Sequence, residues 1–207
     1  MLAKEPRHQQ IASGDTDEPN MIDGGFGNDT IRRGDRDELI GNNGNDDLSG
    51  GGGPDQLSGH GESDCEADND TISGGPGDDT AYGDDIEYPP GGSCEPFEGG
   101  GNDEIRGGAG DDTLYGDLYE SSEGENGDDR ILGGDGADQI FGEAFSCGGD
   151  VTGNDVLRGG GGPDQLAGQC ADDDLDGDAG QNTNDGGDGN DECRNPSPEE
   201  AAINCEQ

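Results

Sequence analysis

A nine-residue phrase, Gly-Gly-x-Gly-x-Asp-x-U-x with U a large aliphatic, recurs along most of the chain, and this regularity restricts the fold more than any single residue does. Gly24-Gly25-Phe26-Gly27-Asn28-Asp29-Thr30-Ile31-Arg32 states it almost in full, and it returns at 50–58, 107–115, 133–141 and 159–167. A short fixed period marks a solenoid, in which each unit buries its apolar side only against its neighbours.

Turn-formers fill the first six positions, and the last three suit a very short strand with U facing inward and its neighbours outward. The inward series reads Ile22, Ile31, Leu39, Leu48, Leu57, Ile72, Ala81, Ile105, Leu114, Ile131, Ile140, Leu157 and Leu166. No such strand buries its aliphatic alone. The expected fold is therefore all-β, with two parallel sheets of short strands, two repeats per coil and the U residues meeting between the sheets. Ile72 to Ala81, Ile105 to Leu114, Ile131 to Ile140 and Leu157 to Leu166 are each nine residues apart, while the intervening steps are longer. Insertions at 59–68, 83–97, 116–126, 142–152 and 168–185 thus fall on alternate turns and leave from one edge. The roll is expected over 14–194, between an N-terminal extension or cap at 1–13 and a C-terminal cap at 195–207.

The chain carries 52 acidic against 9 basic residues, a formal charge of -43, and Leu, Ile, Val and Phe fill only 26 of its 207 positions. Such a chain stays disordered in water unless something cationic neutralises the carboxylates and becomes part of the fold. Its charge argues against nucleic acid and anionic lipid as partners. No run reaches the roughly 18 apolar residues of a membrane span.

The uninterrupted edge stacks turns 50–55, 74–79, 107–112, 133–138 and 159–164. Gly50, Gly74, Gly107, Gly133 and Gly159 open them, and Asp55, Asp79, Asp112, Asp138 and Asp164 close them. At the parallel-strand pitch of about 4.8 Å, bare carboxylates in a column repel one another. A divalent ion between neighbouring turns reverses that repulsion, and numerous hard oxygen ligands in flexible geometry suit calcium better than magnesium. The plainer alternative is an acidic solenoid of Gly/Asp turns without metal. On the looped edge Asp70, Asp103, Asp129, Asp155 and Asp191 precede their strands with fewer glycines around them, and they are candidate ligands too. Asp172, Asp174 and Asp176 spell the first half of a calcium loop in which alternate Asp side chains face one ion. Thr183 stands where a bidentate Glu would close that loop, and a solvated acidic loop is the alternative.

On these residues the chain resembles the repeats-in-toxin (RTX) proteins, over roughly 14–194. The resemblance implies a right-handed parallel β-roll that is disordered without calcium and folds in the millimolar calcium outside cells. It assigns several ions to turn carbonyls and the sixth-position Asp, here Asp29, Asp46, Asp55, Asp79, Asp112, Asp138, Asp164 and Asp191. Arg33-Gly34-Asp35-Arg36-Asp37 departs from the pattern: it is one residue short, has arginines where glycines belong, and is expected to lack an ion. Six cysteines also depart from the usual cysteine-poor secreted members, although the ending is similar to a disulfide-closed tail.

Cys65 and Cys94 fall in consecutive loops of one edge, as do Cys147 and Cys170, and Cys193 is close to Cys205. Neighbouring coils lie within disulfide reach, so the expected pairs are Cys65–Cys94, Cys147–Cys170 and Cys193–Cys205, which suit an oxidising, extracellular compartment. Zinc is the rival reading of the cysteines, against which stand the lack of Cys-x-x-Cys and the presence of only His8 and His60. His-Glu-x-x-His and Gly-x-Ser-x-Gly are absent, and no enzyme is expected. The functional expectation is an extracellular calcium-binding module of structural or interaction type. Two alternatives stand beside it: a self-associating subunit of a filament or surface layer, since a solenoid's end exposes strand backbone, and the export or folding module of a secreted enzyme or adhesin.

Overall fold

The computed structural model describes residues 10–12, 20–60, 68–86, 100–119, 126–143, 153–194 and 201–205. Among them every regular element is a strand. One sheet stacks β1 (Gln10–Ala12), β3 (Thr30–Arg32), β5 (Asp47–Ser49), β7 (Thr71–Pro76), β9 (Glu104–Ala109), β11 (Arg130–Asp135), β13 (Val156–Gly161), β15 (Asp174–Asp176) and β17 (Glu192–Arg194). The other stacks β2 (Asn20–Phe26), β4 (Asp37–Asn43), β6 (Gln56–Ser58), β8 (Thr80–Ile86), β10 (Thr113–Tyr119), β12 (Gln139–Glu143), β14 (Gln165–Cys170), β16 (Thr183–Asp188) and β18 (Ala201–Ile203). The chain changes sheet at every repeat, and each strand pairs in parallel with those two places away. This is a parallel β-roll.

Register puts equal motif positions opposite one another. Leu48, Ile72, Ile105, Ile131, Leu157 and Leu175 form one inward column, and Leu39, Leu57, Ala81, Leu114, Ile140 and Leu166 the facing one. The thirteen expected inward residues are all buried, Ile22 being the most open at 7%. One aliphatic per nine residues is a thin core, far short of offsetting the entropy of ordering those residues. On the outer face of the second sheet Tyr82, Tyr115 and Phe141 stack at centroid separations of 5.2 and 4.9 Å, adding about 0.5–1.5 kcal/mol per pair.

Segment 168–185 is not an insertion. It holds β15 and β16, with Leu175 in the core and Asn184 in the aliphatic's place, fully buried. The phrase is disguised there because Gln169, Ala171 and Asp178 take positive φ (75°, 72° and 56°) where it has glycine. Nor do the expected limits at 14 and 194 bound the sheets, since Ile11 pairs with Ile31 and Ala202 with Asn184. A disulfide joins Cys193 to Cys205, with α-carbons 5.7 Å apart. Cys170 is also disulfide-bonded; Cys65, Cys94 and Cys147 lie outside the described residues.

Candidate metal centre

The regular turns are made by glycines, whose positive φ other residues adopt only at a cost. At 133–138, Gly134 and Gly136 have φ of +125° and +154°, which reverses the chain in a few residues and brings Asp138 back under Gly133. Gly133 itself leaves the space that Asp138 Oδ2 occupies. The same relation holds between Gly50 and Asp55, Gly74 and Asp79, Gly107 and Asp112, and Gly159 and Asp164.

The sixth-position aspartates form two columns, one along each edge. On the uninterrupted edge the backbone N–H of Asp55 donates to Asp79 Oδ1, that of Asp79 to Asp112, Asp112 to Asp138 and Asp138 to Asp164, at 2.8–3.0 Å. The looped edge runs Asp29, Asp46, Asp70, Asp103, Asp129, Asp155, Asp173 and Asp191, each N–H donating to the next Oδ1 at 2.7–2.9 Å. Insertions leave this column unbroken because they lie between the second and fourth turn positions, before the Asp.

One oxygen of each carboxylate is thus anchored, and the other is not. The Oδ2 atoms of Asp46, Asp55, Asp70, Asp79, Asp103, Asp112, Asp129, Asp138, Asp155, Asp164, Asp173 and Asp191 are buried with no hydrogen-bond partner. Beside them lies a carbonyl of the next coil: a methyl built on Gly159 would stand 2.5 Å from Asp164 Oδ2 and 2.7 Å from the Gly177 oxygen. Burial pushes these carboxyls up, to about 6 at Asp55 and Asp138, about 7 at Asp46, Asp112 and Asp155, about 8 at Asp173 and about 9 at Asp70, with neighbouring carboxylates adding to the rise at several of them. Burial, with neighbouring carboxylates, also raises Asp103 and Asp129 well above the usual carboxylate range. A file of bare oxygens and carbonyls with no N–H or cationic side chain at their unanchored ends is a donor set for a hard cation, and it fits calcium.

Asn182 supplies the contrast. It holds the sixth position after Gly177, accepts the Asp164 N–H through Oδ1 at 2.9 Å, and turns its amide onto the Gly177 carbonyl at 2.5 Å. An amide donor closes that turn without a cation. The short turn after Arg33 is also different: Arg36 takes φ of 44°, and Asp37, whose N–H donates to Asp55 Oδ1, heads the column there.

Asp172, Asp174 and Asp176 do not converge as the alternating-Asp reading expected. Asp174 pairs with Arg158 and Arg194 at 2.9 and 2.8 Å and is held ionised by them. Asp176 accepts from the Asp178 N–H, and Asp172 from the Asn190 N–H. The ladder residue of this segment is Asp173, which the sequence reading passed over. It also passed over Gly41, Gly59, Gly83, Gly116, Gly142 and Gly168, which cradle the looped-edge aspartates as the first-position glycines do on the other edge. The signal was present: each of these glycines stands two residues after its U. A further group, Asp84, Asp103 and Asp117, brings three buried carboxylates within 4.8 Å of one another.

A search of curated proteins finds no match to the chain. The RTX calcium-binding nonapeptide repeat (4 copies) matches at residues 16–35, 33–57, 66–85, 99–118, 121–146 and 151–183, more than half of the sequence. Two edge columns of anchored aspartates, each facing a glycine cradle, are what those repeats build, and the chain belongs to the RTX calcium-binding nonapeptide repeat family.

Proposed function

We propose that the protein is an extracellular module that folds on binding calcium and serves a structural or interaction role. One observation carries the reading: a double file of buried, unpartnered Oδ2 atoms runs the length of a roll whose apolar core is one residue wide. Calcium bound there would link the carboxylate of one coil to a carbonyl of the next, turning the repulsion within each column into attraction between coils. The ladder N–H groups orient each carboxylate, the glycines keep its second oxygen clear, and the thin core fixes the distance between sheets. The ligand residues on this reading are the two Asp columns with the first-position glycine carbonyls. Disulfides at Cys170 and Cys193–Cys205 support an oxidising compartment.

The test is far-UV circular dichroism during calcium titration of the chelated protein. Strand signal that rises with calcium and collapses on chelation is expected; equal order in both conditions refutes the reading. Self-association is a second reading, favoured by the terminal strand β18, whose described neighbour is β16 alone and whose Ile203 is 47% exposed. Light scattering in calcium decides it, and a monomer at every concentration removes it.

A further inference from the structure

The looped edge carries a second file of side chains that the nonapeptide phrase does not contain. At this edge's regular turns the second position has positive φ, as in Gly25, Asn42, Gln169 and Gly187. In the coils with insertions that position is held by His60, Asp84, Asp117 and Glu143, and none of these four takes positive φ. Strands β8, β10 and β12 run on through it, which keeps Asp84, Asp117 and Glu143 opposite one another. All four residues are at most 3% exposed.

Part of their role is to fasten the insertions. The Gly101 N–H donates to Asp84 Oδ2 at 2.5 Å, and the Gly127 N–H to Asp117 Oδ2 at 2.9 Å, each closing the base of a loop. Fastening uses one oxygen of each carboxylate. The other, Oδ1 in both, is buried without a hydrogen-bond partner, as is Asp103 Oδ2. These three side chains are the group that lies within 4.8 Å. Three ionised carboxylates so close repel strongly in a buried site. His60 points to the same place independently. It is fully buried, neither ring nitrogen has a hydrogen-bond partner, and Nδ1 is 3.8 Å from Asp84 Oδ1. That is too long for a hydrogen bond, but it is the separation of two donors sharing a cation at about 2.3–2.6 Å from each.

We propose that Asp84, Asp103 and Asp117 form a three-carboxylate site for a hard divalent cation, flanked by His60 from the preceding coil. It takes two of its ligands from the second turn position, which the repeat leaves to glycine, and its higher charge makes it bind more tightly than the turns of the uninterrupted edge. The inference rests on calcium binding by the roll as a whole.

The experiment compares the full chain with an Asp84→Asn, Asp117→Asn double variant, which keeps acceptors for the Gly101 and Gly127 N–H groups, and with a Glu38→Gln control. Each is titrated with calcium by calorimetry and with terbium by luminescence sensitised through Tyr82 and Tyr115, which precede Gly83-Asp84 and Gly116-Asp117. The wild type and control should show a tight class of sites that fills first. The double variant should lose about tenfold or more in affinity for that class, while its weaker class and its calcium-dependent dichroism remain. His60 ring protons, assigned with a His60→Gln variant, should shift during the first equivalents. An unchanged first step in the double variant, or His60 signals that move only late, overturns the site. A wild type that binds no calcium overturns the underlying reading instead. If the Asn variant does not fold, Asp84→Gly with Asp117→Gly restores the repeat's own residue, and a tight class surviving there also overturns the proposal.

Discussion

Replacing Asp112 by Asn should stabilise the roll in chelator and destabilise it in calcium, and the size of both effects follows from residues already in the fold. Asp112 accepts the Asp79 N–H at 2.8 Å through Oδ1, a bond that an amide oxygen keeps, as Asn182 does at 2.9 Å. The new amide would meet the carbonyl file as Asn182 meets Gly177, a neutral hydrogen bond worth about 1 kcal/mol. It also removes a carboxylate whose pKa burial raises from 3.8 to about 7. Keeping that group ionised at pH 7.5 costs about 4 kcal/mol at 1.36 kcal/mol per unit, halved to about 2 kcal/mol for screening at the roll's edge. Calcium-free Asp112→Asn should therefore gain about 3 kcal/mol over calcium-free wild type. With calcium at about a hundred times its dissociation constant, the variant forgoes about 2.7 kcal/mol for each ion it can no longer hold. Since Asp112 adjoins the coils on either side, two ions are lost, about 5 kcal/mol together, which outweighs the gain of about 3 kcal/mol and leaves the variant about 2 kcal/mol less stable than wild type in calcium. Urea melts of both proteins in chelator and in calcium measure this directly. A shift of the same sign in both conditions would refute the claim that the second oxygen exists for a cation.

Acidification of the chelated chain should promote folding. The raised carboxyls favour the folded state while protonated: that contribution is full below about pH 3.8 and is lost as pH rises through the folded values, from about 6 at Asp138 to about 9 at Asp70. Dichroism in chelator should therefore show more strand at pH 4 than at pH 8, and equal disorder at both would contradict the burial of these groups. Leu114→Ala, at a fully buried position, should cost about 2–5 kcal/mol in calcium-saturated melts. Gly133→Ala places a methyl against Asp138 Oδ2 and 2.6 Å from the Gly159 carbonyl, so calcium stoichiometry by calorimetry should fall while the strand signal in excess calcium persists. Reducing Cys193–Cys205, which spans 12 residues, should lower stability by about 2–4 kcal/mol and loosen β17 and β18 first, read by amide hydrogen exchange.

The repeat period is a direct record of the coil, because a side chain two places after Asp must point inward wherever the chain turns on glycine. Ile31 through Leu166 were legible for that reason, and so was the column from Asp55 to Asp164. Legibility ended where another residue did the work of the expected one. Asn184 in a core position and Ala171 at positive φ hid two repeats, so that Asp173 was overlooked in favour of Asp172, Asp174 and Asp176, whose spacing imitates a different calcium loop. Asp84 and Asp117 stand next to insertions and read as loop residues. Only pairing across coils brings them beside Asp103, a relation between positions 19 and 14 residues apart that no local pattern encodes.

Because every insertion enters after the second residue of a looped turn and returns before the fourth, the pitch of the sheets is indifferent to how much sequence is spliced in between. The span from Gly83 to Asp103 is longer than that from Gly41 to Asp46, yet both aspartates are rungs of one ladder, on either side of Asp70. That edge is therefore a row of ready-made grafting points. Foreign peptides joined there, through the staple formed by Asp117 and Gly127 for example, could be displayed about 5 Å apart along a rigid spine, leaving the opposite edge free to carry the ions that hold the spine together.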